Sequence, residues 1–181
     1  MKASEQRKYQ QQMLGCLEKA GIAITAEEAA RLEIADFGLG RFEEIGLGVL
    51  VYVNTARCCA KELVMLPRQI CPEHRHPWAD GEPGKEETFR CRRGEVTIYV
   101  PGERTANPRG RAPQDRKDTF TVWHEVALRP GEQFTLPADT LHWFQAGPDG
   151  AVVSEFSTAS RDELDIFTDP MIVRVPQVEQ D

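Results

Sequence analysis

The sequence predicts a mainly β protein, a sandwich or barrel preceded by two short helices. Two observations predict this. From Leu47 onward, short runs rich in Val, Ile, Thr, Tyr and Phe follow one another along the chain. Between them stand Pro67, Pro72, Gly94, Pro101-Gly102, Pro130-Gly131, Pro137 and Gly147-Pro148, residues that end strands and form turns.

Residues 5–20 are read as a helix, because Tyr9, Met13, Leu17 and Ala20 recur at helical spacing and Gly21 follows as a stop. Thr25-Ala-Glu-Glu28 is a capping box that opens a second helix through Leu32. Residues 38–48 are glycine-rich and loop-like. Strands are predicted over 49–53, 61–66, 88–91, 96–100, 120–122, 125–128, 133–136, 141–145 and 152–157. There is no internal repeat, so the chain is organised as one domain. A helical segment (1–45) covers one face or edge of a barrel (46–160), and a tail (161–181) packs against the barrel end.

With 181 residues, 40% hydrophobic and 28% charged, the chain is long enough for its own core and ordinary for a soluble protein. A net charge of -7 argues against nucleic acid as a partner. The one basic run, 104–117, is rich in Pro and Gly and is read as a solvated loop. No stretch has the length of a membrane span, and the first residues lack an apolar signal core. Five cysteines without repeated spacing suggest neither a disulfide framework nor a zinc knuckle, so a reduced, cytoplasmic protein is expected.

The chemistry concentrates in two blocks. The first holds His74, His76, Glu87 and Gly94; the second holds Gly131, Pro137 and His142. His74 and His76 are two apart, so on a strand both imidazoles point to one face. Three imidazoles and one carboxylate make a ligand set for a divalent transition metal, with room left for water or substrate oxygens.

These blocks resemble the paired motifs of the cupin superfamily. Glu87 is followed by six residues and then Gly94, as in the first motif; that spacing favours Glu87 over its neighbour Glu86. The spacer between His76 and Glu87 is longer than the motif's usual one. In the second block Gly131, Pro137 and His142 fit, with Asp139 where Gly is usual and Ala146 where Asn is. The resemblance implies a double-stranded β-helix, or jelly-roll barrel, with the metal inside. If Glu87 faces inward, alternation sends Lys85, Phe89 and Cys91 inward and Glu86 outward. By alternation with His142, Phe144 faces inward and Trp143 outward, where it is expected to pack under the N-terminal helices.

A narrower resemblance runs from about residue 45 to 175. Pro72-Glu-His-Arg-His-Pro77, Gly84-Lys-Glu-Glu-Thr-Phe89, Pro101-Gly-Glu-Arg-Thr-Ala-Asn-Pro108 and Thr121-Val-Trp-His-Glu125 are similar to the D-lyxose isomerase family. So are Thr140-Leu-His-Trp-Phe-Gln-Ala-Gly147 and Ser154-Glu-Phe-Ser-Thr-Ala-Ser-Arg-Asp-Glu163. The long spacer before Glu87 also fits this family. The resemblance implies an aldose–ketose isomerase of free sugars that uses Mn²⁺, with Zn²⁺, Co²⁺ or Fe²⁺ as alternatives. D-lyxose and D-xylulose are the expected pair, and D-mannose and D-fructose a second one. A homodimer is expected by the same resemblance and because jelly rolls leave sheet edges to cover.

Such a reaction moves hydrogen between C1 and C2 through a cis-enediol. A cation polarises the O1–O2 region, and a base shuttles the proton. Glu155, in the β-rich run 152–157, is the first candidate base and Asp165 the second. Lys61 and Lys85 are candidates to stabilise developing negative charge or bind hydroxyls. Phe89 and Phe144, with Trp78 and Trp143, are the candidate aromatic faces for a sugar. Set against these are plainer readings: His124 as a surface histidine, Cys91 as apolar packing, and Glu155 paired with Lys61 in a buried network. The rival functions are a cupin phosphosugar isomerase, which would need a basic phosphate pocket, an Fe-dependent oxygenase, and a non-enzymatic sugar-binding cupin.

Overall fold

A computed structural model describes residues 1–181. Helix α1 (Ala3–Lys19) and helix α2 (Ala26–Arg31) come first. The capping box at α2 forms: Thr25 Oγ1 accepts from Glu28 N at 3.1 Å, and Glu28 Oε2 accepts from Thr25 N at 2.7 Å. Then follow β1 (Glu33–Ala35), β2 (Leu47–Asn54), β3 (Cys59–Met65), β4 (Ile70–Arg75) and β5 (Glu87–Val100). After a 3-10 turn (Gln114–Thr119) come β6 (His124–Leu128), β7 (Gln133–Leu136) and β8 (His142–Ser157). A second 3-10 turn (Asp162–Leu164) leads to β9 (Ile166–Phe167). No helix is long and apolar enough to cross a membrane.

The nine strands form one curled antiparallel sheet. Two long strands organise it. β5 and β8 pair along nearly their whole length, from Glu87 opposite Ser157 to Tyr99 opposite Trp143. The far half of β8, from Ala151 to Ser157, also pairs with β3, and its near end pairs with β4, where His142 stands opposite His74. The sequence suggested separate strands at 88–91 and 96–100, and at 141–145 and 152–157. Each couple is one bent strand, because β-bulges absorb the Gly and Pro that read as breaks. At the bulge in β5, Gly94 has φ +73°, and a Cβ there would sit 2.0 Å from the Gly150 carbonyl oxygen. β1 and β4 are strands that the periodicity alone did not single out. Residues 120–122 are not a strand but lie against the Trp143 cluster.

Alternation along β8 divides the core. Val153 enters the main cluster with Leu63, Phe89 and Phe144 inside the curl. Val152 points the other way, to Met13, Leu17, Leu50 and Val64 under the N-terminal helices. Trp143 does not join that second cluster, contrary to the sequence expectation. It faces outward from His142 but at the other end of β8, stacked on Tyr99 at 3.9 Å and covered by Phe120 and Trp123. Its Nε1 donates to the Val122 carbonyl at 2.8 Å. The basic run 104–117 is also less solvated than its composition suggested. Arg116 forms a partly buried ion pair with Asp169, and Gly110 N donates to Tyr99 Oη.

Trp143→Ala is expected to lower stability by about 3–5 kcal/mol, read from the midpoint of a urea unfolding curve.

Candidate metal centre and active site

The site lies at the end of the curl where β4, β5 and β8 meet. His74 is on β4, His76 immediately follows it, Glu87 opens β5, and His142 opens β8. All four are at least nine-tenths buried. Because His74 and His142 are register partners, their rings lie 4.3 Å apart. The ligand nitrogens of the three histidines fall within 4.8 Å of one another. Each Nδ1 is already engaged by an oxygen: His74 by Pro72 O at 2.8 Å, His142 by Thr140 O at 2.9 Å, and His76 by Asp165 Oδ1 at 2.5 Å. That leaves the Nε2 atoms to face a common point.

Glu87 completes the group. Its Oε1 is 3.1 Å from His76 Nε2 and 3.1 Å from His142 Nε2. The approach to His142 lacks hydrogen-bond geometry, so His142 Nε2 is a buried nitrogen with no hydrogen-bond partner. A nitrogen in that state, facing a carboxylate and two further imidazoles, fits a cation. Burial pushes His74 well below its ordinary pKa, and the neighbouring imidazoles push the same way, which keeps it a neutral ligand. Burial also pushes His76 down, but the Glu87 charge and the Asp165 bond outweigh it and lift its pKa to about 9. Metal binding by an imidazole competes with its proton.

Beside this centre runs a chain of buried charges. Lys85 Nζ lies 2.9 Å from Glu87 Oε2 and 3.0 Å from Glu155 Oε1. Lys61 Nζ lies 3.5 Å from Glu155 Oε1 and 2.9 Å from Asp162 Oδ2. Burial works against the Lys85 ammonium, but Glu155, Glu87 and Asp162 more than offset it and hold it well above the ordinary lysine range. The buried pairing of Glu155 with Lys61 thus exists, and it is continuous with the candidate metal ligands through Lys85. Phe89 and Phe144 pack edge to face at 5.1 Å beneath His142, forming an apolar floor. Trp78 is 63% exposed on the loop after His76, and His124 is on the surface. Cys91 is packed in the main core.

The tail supplies groups that the sequence did not mark. Phe167 stacks on His74 at 5.4 Å, and Asp162 and Arg174 line the central cavity with Lys61, Lys85 and Glu155. Glu73, on the reverse face of β4 from His74, binds the tail to the site. Its carboxylate accepts from Thr121 N, Thr121 Oγ1, Val122 N and Thr168 Oγ1. Two backbone positions are special. A Cβ at Gly84 would lie 1.8 Å from the His76 carbonyl oxygen, so the long spacer can return past His76 only with glycine there. Asp139, where the cupin motif carries Gly, keeps the left-handed backbone at φ +61°, a conformation that Asp tolerates better than most residues.

A curled antiparallel sheet with three histidines and a carboxylate at one end defines a cupin-type barrel whose histidines could hold a metal. A sequence model of the D-lyxose isomerase family matches residues 17–181, and the chain belongs to that family. A D-lyxose/D-mannose isomerase of Thermosediminibacter oceani is 58% identical over 99% of both chains. A D-lyxose ketol-isomerase of a Thermofilum species is 64% identical over 90% of both, and one of Cohnella laeviribosi is 51% identical over the whole of both. In fold, the chain is similar to L-ribose isomerases of Cellulomonas parahominis (TM-score 0.79, 18% identity, 94% of both chains) and Acinetobacter sp. DL28 (TM-score 0.79, 17% identity, 95% of this chain and 94% of the other).

Asp165→Asn replaces the charged acceptor on His76 Nδ1. It is expected to weaken metal binding about 10–100-fold in a chelator-competition titration. An unchanged affinity would show that the bond does not orient His76.

Proposed function

We propose that this protein is a metal-dependent aldose–ketose isomerase of free sugars. Its principal pair is D-lyxose and D-xylulose, with D-mannose and D-fructose as a second pair. The observation that carries this reading is the direct link from metal-type ligands to a buried carboxylate: Glu87 and Glu155 share Lys85 at 2.9 and 3.0 Å. Membership of the D-lyxose isomerase family supports it. His74, His76, Glu87 and His142 are the residues we assign to the metal, which supplies a Lewis acid for the sugar's O1–O2 region when bound.

The chain's own groups do the rest. Glu155 takes the proton from one carbon and returns it to the next. Lys85 donates to the oxygen on which negative charge develops. Lys61 holds Glu155 in position from the opposite strand. Asp165, the second candidate base, is assigned to orient His76, since its Oδ1 is taken up by that ring. Phe89 and Phe144 keep water from beneath the reacting carbons. The cavity's cations, Lys61, Lys85 and Arg174, are all committed to carboxylates, which favours an uncharged sugar over a phosphosugar. Mn²⁺ is the metal we assign, with Zn²⁺, Co²⁺ and Fe²⁺ competing for the same ligands. A cytoplasmic homodimer is the working unit we assign.

Metal-stripped protein reconstituted with Mn²⁺ is expected to form D-xylulose from D-lyxose, and to lose that activity on chelation and in His142→Ala. Ketose formation that survives chelation would overturn metal dependence. Glu155→Gln is expected to lower kcat about 10²–10⁴-fold with metal content intact; near-normal turnover would remove Glu155 as the base.

A further inference from the structure

The cavity between the metal ligands and Glu155 measures about 40 Å³, room for only a few waters. A sugar needs several times that, so on the isomerase reading one wall has to give way. Two larger clefts adjoin the cavity. One, of about 660 Å³, is separated from it by His76, Lys85 and Asp165, each of which lines both spaces. The other, of about 420 Å³, is separated from it by Lys61, Asp162 and Arg174.

The two partitions differ in what they can yield. His76 and Lys85 are tied to Glu87, and Asp165 is tied to His76, so opening that side dismantles the centre. Lys61 is held in the paired strand β3. Arg174 reaches in from the tail on a long side chain, beside the shorter Asp162 that Lys61 holds. The arginine bridges Glu33 and Asp162, with Nη2 3.5 Å from the latter, and makes no contact with the metal ligands. The backbone beside it is held by Val173 N donating to the Phe37 carbonyl at 3.0 Å. The order Glu87, Lys85, Glu155, Lys61, Asp162, Arg174 runs from the metal ligands toward this second cleft.

We propose that Arg174 is the end wall of the sugar site and sets the length of the sugar chain accepted. With C1 and C2 between Glu87 and Glu155, the terminal carbons point to Arg174. D-mannose continues the D-lyxose chain by one carbon with the same configuration at C2 to C4, so the two sugars form a matched ruler. The inference rests on the isomerase reading.

The experiment compares kcat/KM for D-mannose and D-lyxose in Mn²⁺-loaded wild type, Arg174→Ala and Arg174→Met. Arg174→Ala joins the cavity to the 420 Å³ cleft, and the preference for D-mannose is expected to rise about tenfold or more. Arg174→Met keeps the bulk, and its preference is expected to stay near wild type. An unmoved ratio in the alanine variant, or an equal shift in both variants, overturns the wall. If Arg174→Ala does not fold, the shorter Arg174→Gln takes its place, with a smaller rise expected and an unmoved ratio again decisive against the proposal. Wild-type protein that turns over neither sugar defeats the isomerase reading itself. The wall is then judged by calorimetry of D-arabinitol against D-mannitol, where an absence of binding or a preference unaltered by Arg174→Ala overturns it.

Discussion

Glu87 is a carboxylate with 1% of its surface exposed at one end of a β-barrel, and much of the surrounding structure answers its charge. An isolated carboxylate there would be protonated. Burial does push Glu87 in that direction, but Lys85 and His76 outweigh it and hold its pKa well below the usual range. Each of those partners is itself buried and needs its own counterpart. Lys85 takes Glu155 and Asp162, His76 takes Asp165, and Lys61 joins because Glu155 and Asp162 need it. Compensating one charge thus recruits residues from β3, β8, the connection between β4 and β5, and the tail. A network of this kind adds little net stability, because desolvation consumes most of the Coulombic gain. Its value lies in fixing where the groups stand.

The sheet makes this network possible by economy of strands. β8 begins beside β4, which puts His142 against His74, and ends beside β3, which puts Glu155 against Lys61. β5 runs along nearly the whole of it, and Glu87 at its start stands opposite Ser157, two residues past Glu155, with Lys85 just before it. One strand shared among three neighbours therefore joins the candidate metal ligands to the candidate base. The bulges at Gly94 and around residues 147–150 are the bends that allow it.

The candidate metal ligands were legible because they obey local rules. His74 and His76 share a face by strand alternation, and the same rule placed Lys85, Phe89 and Cys91 inside and Glu86 outside, as the burial pattern has it. Glycine signals misled where a bulge rather than a chain break was the outcome, so β5 and β8 each read as two strands. Trp143 shows the limit of alternation. The rule names the face a side chain takes but not what covers that face, and loop residues Phe120 and Trp123 cover it rather than helix α1.

What the sequence by itself determined is the set of groups that alternation and motif spacing bring to one face: His74, His76, Glu87, His142, Lys85 and Glu155. These lie on strands, or within two residues of a strand's end, and share a two-residue period written in the order of the residues. What only the tertiary structure decided is which distant groups meet them. Asp165 on His76, Phe167 on His74, Asp162 on both lysines, Arg174 at the cavity wall and Glu73 holding the tail come from turns and short segments without periodicity. Their partners lie far away along the chain, and packing of the tail against the barrel end, which no local pattern encodes, brings them together.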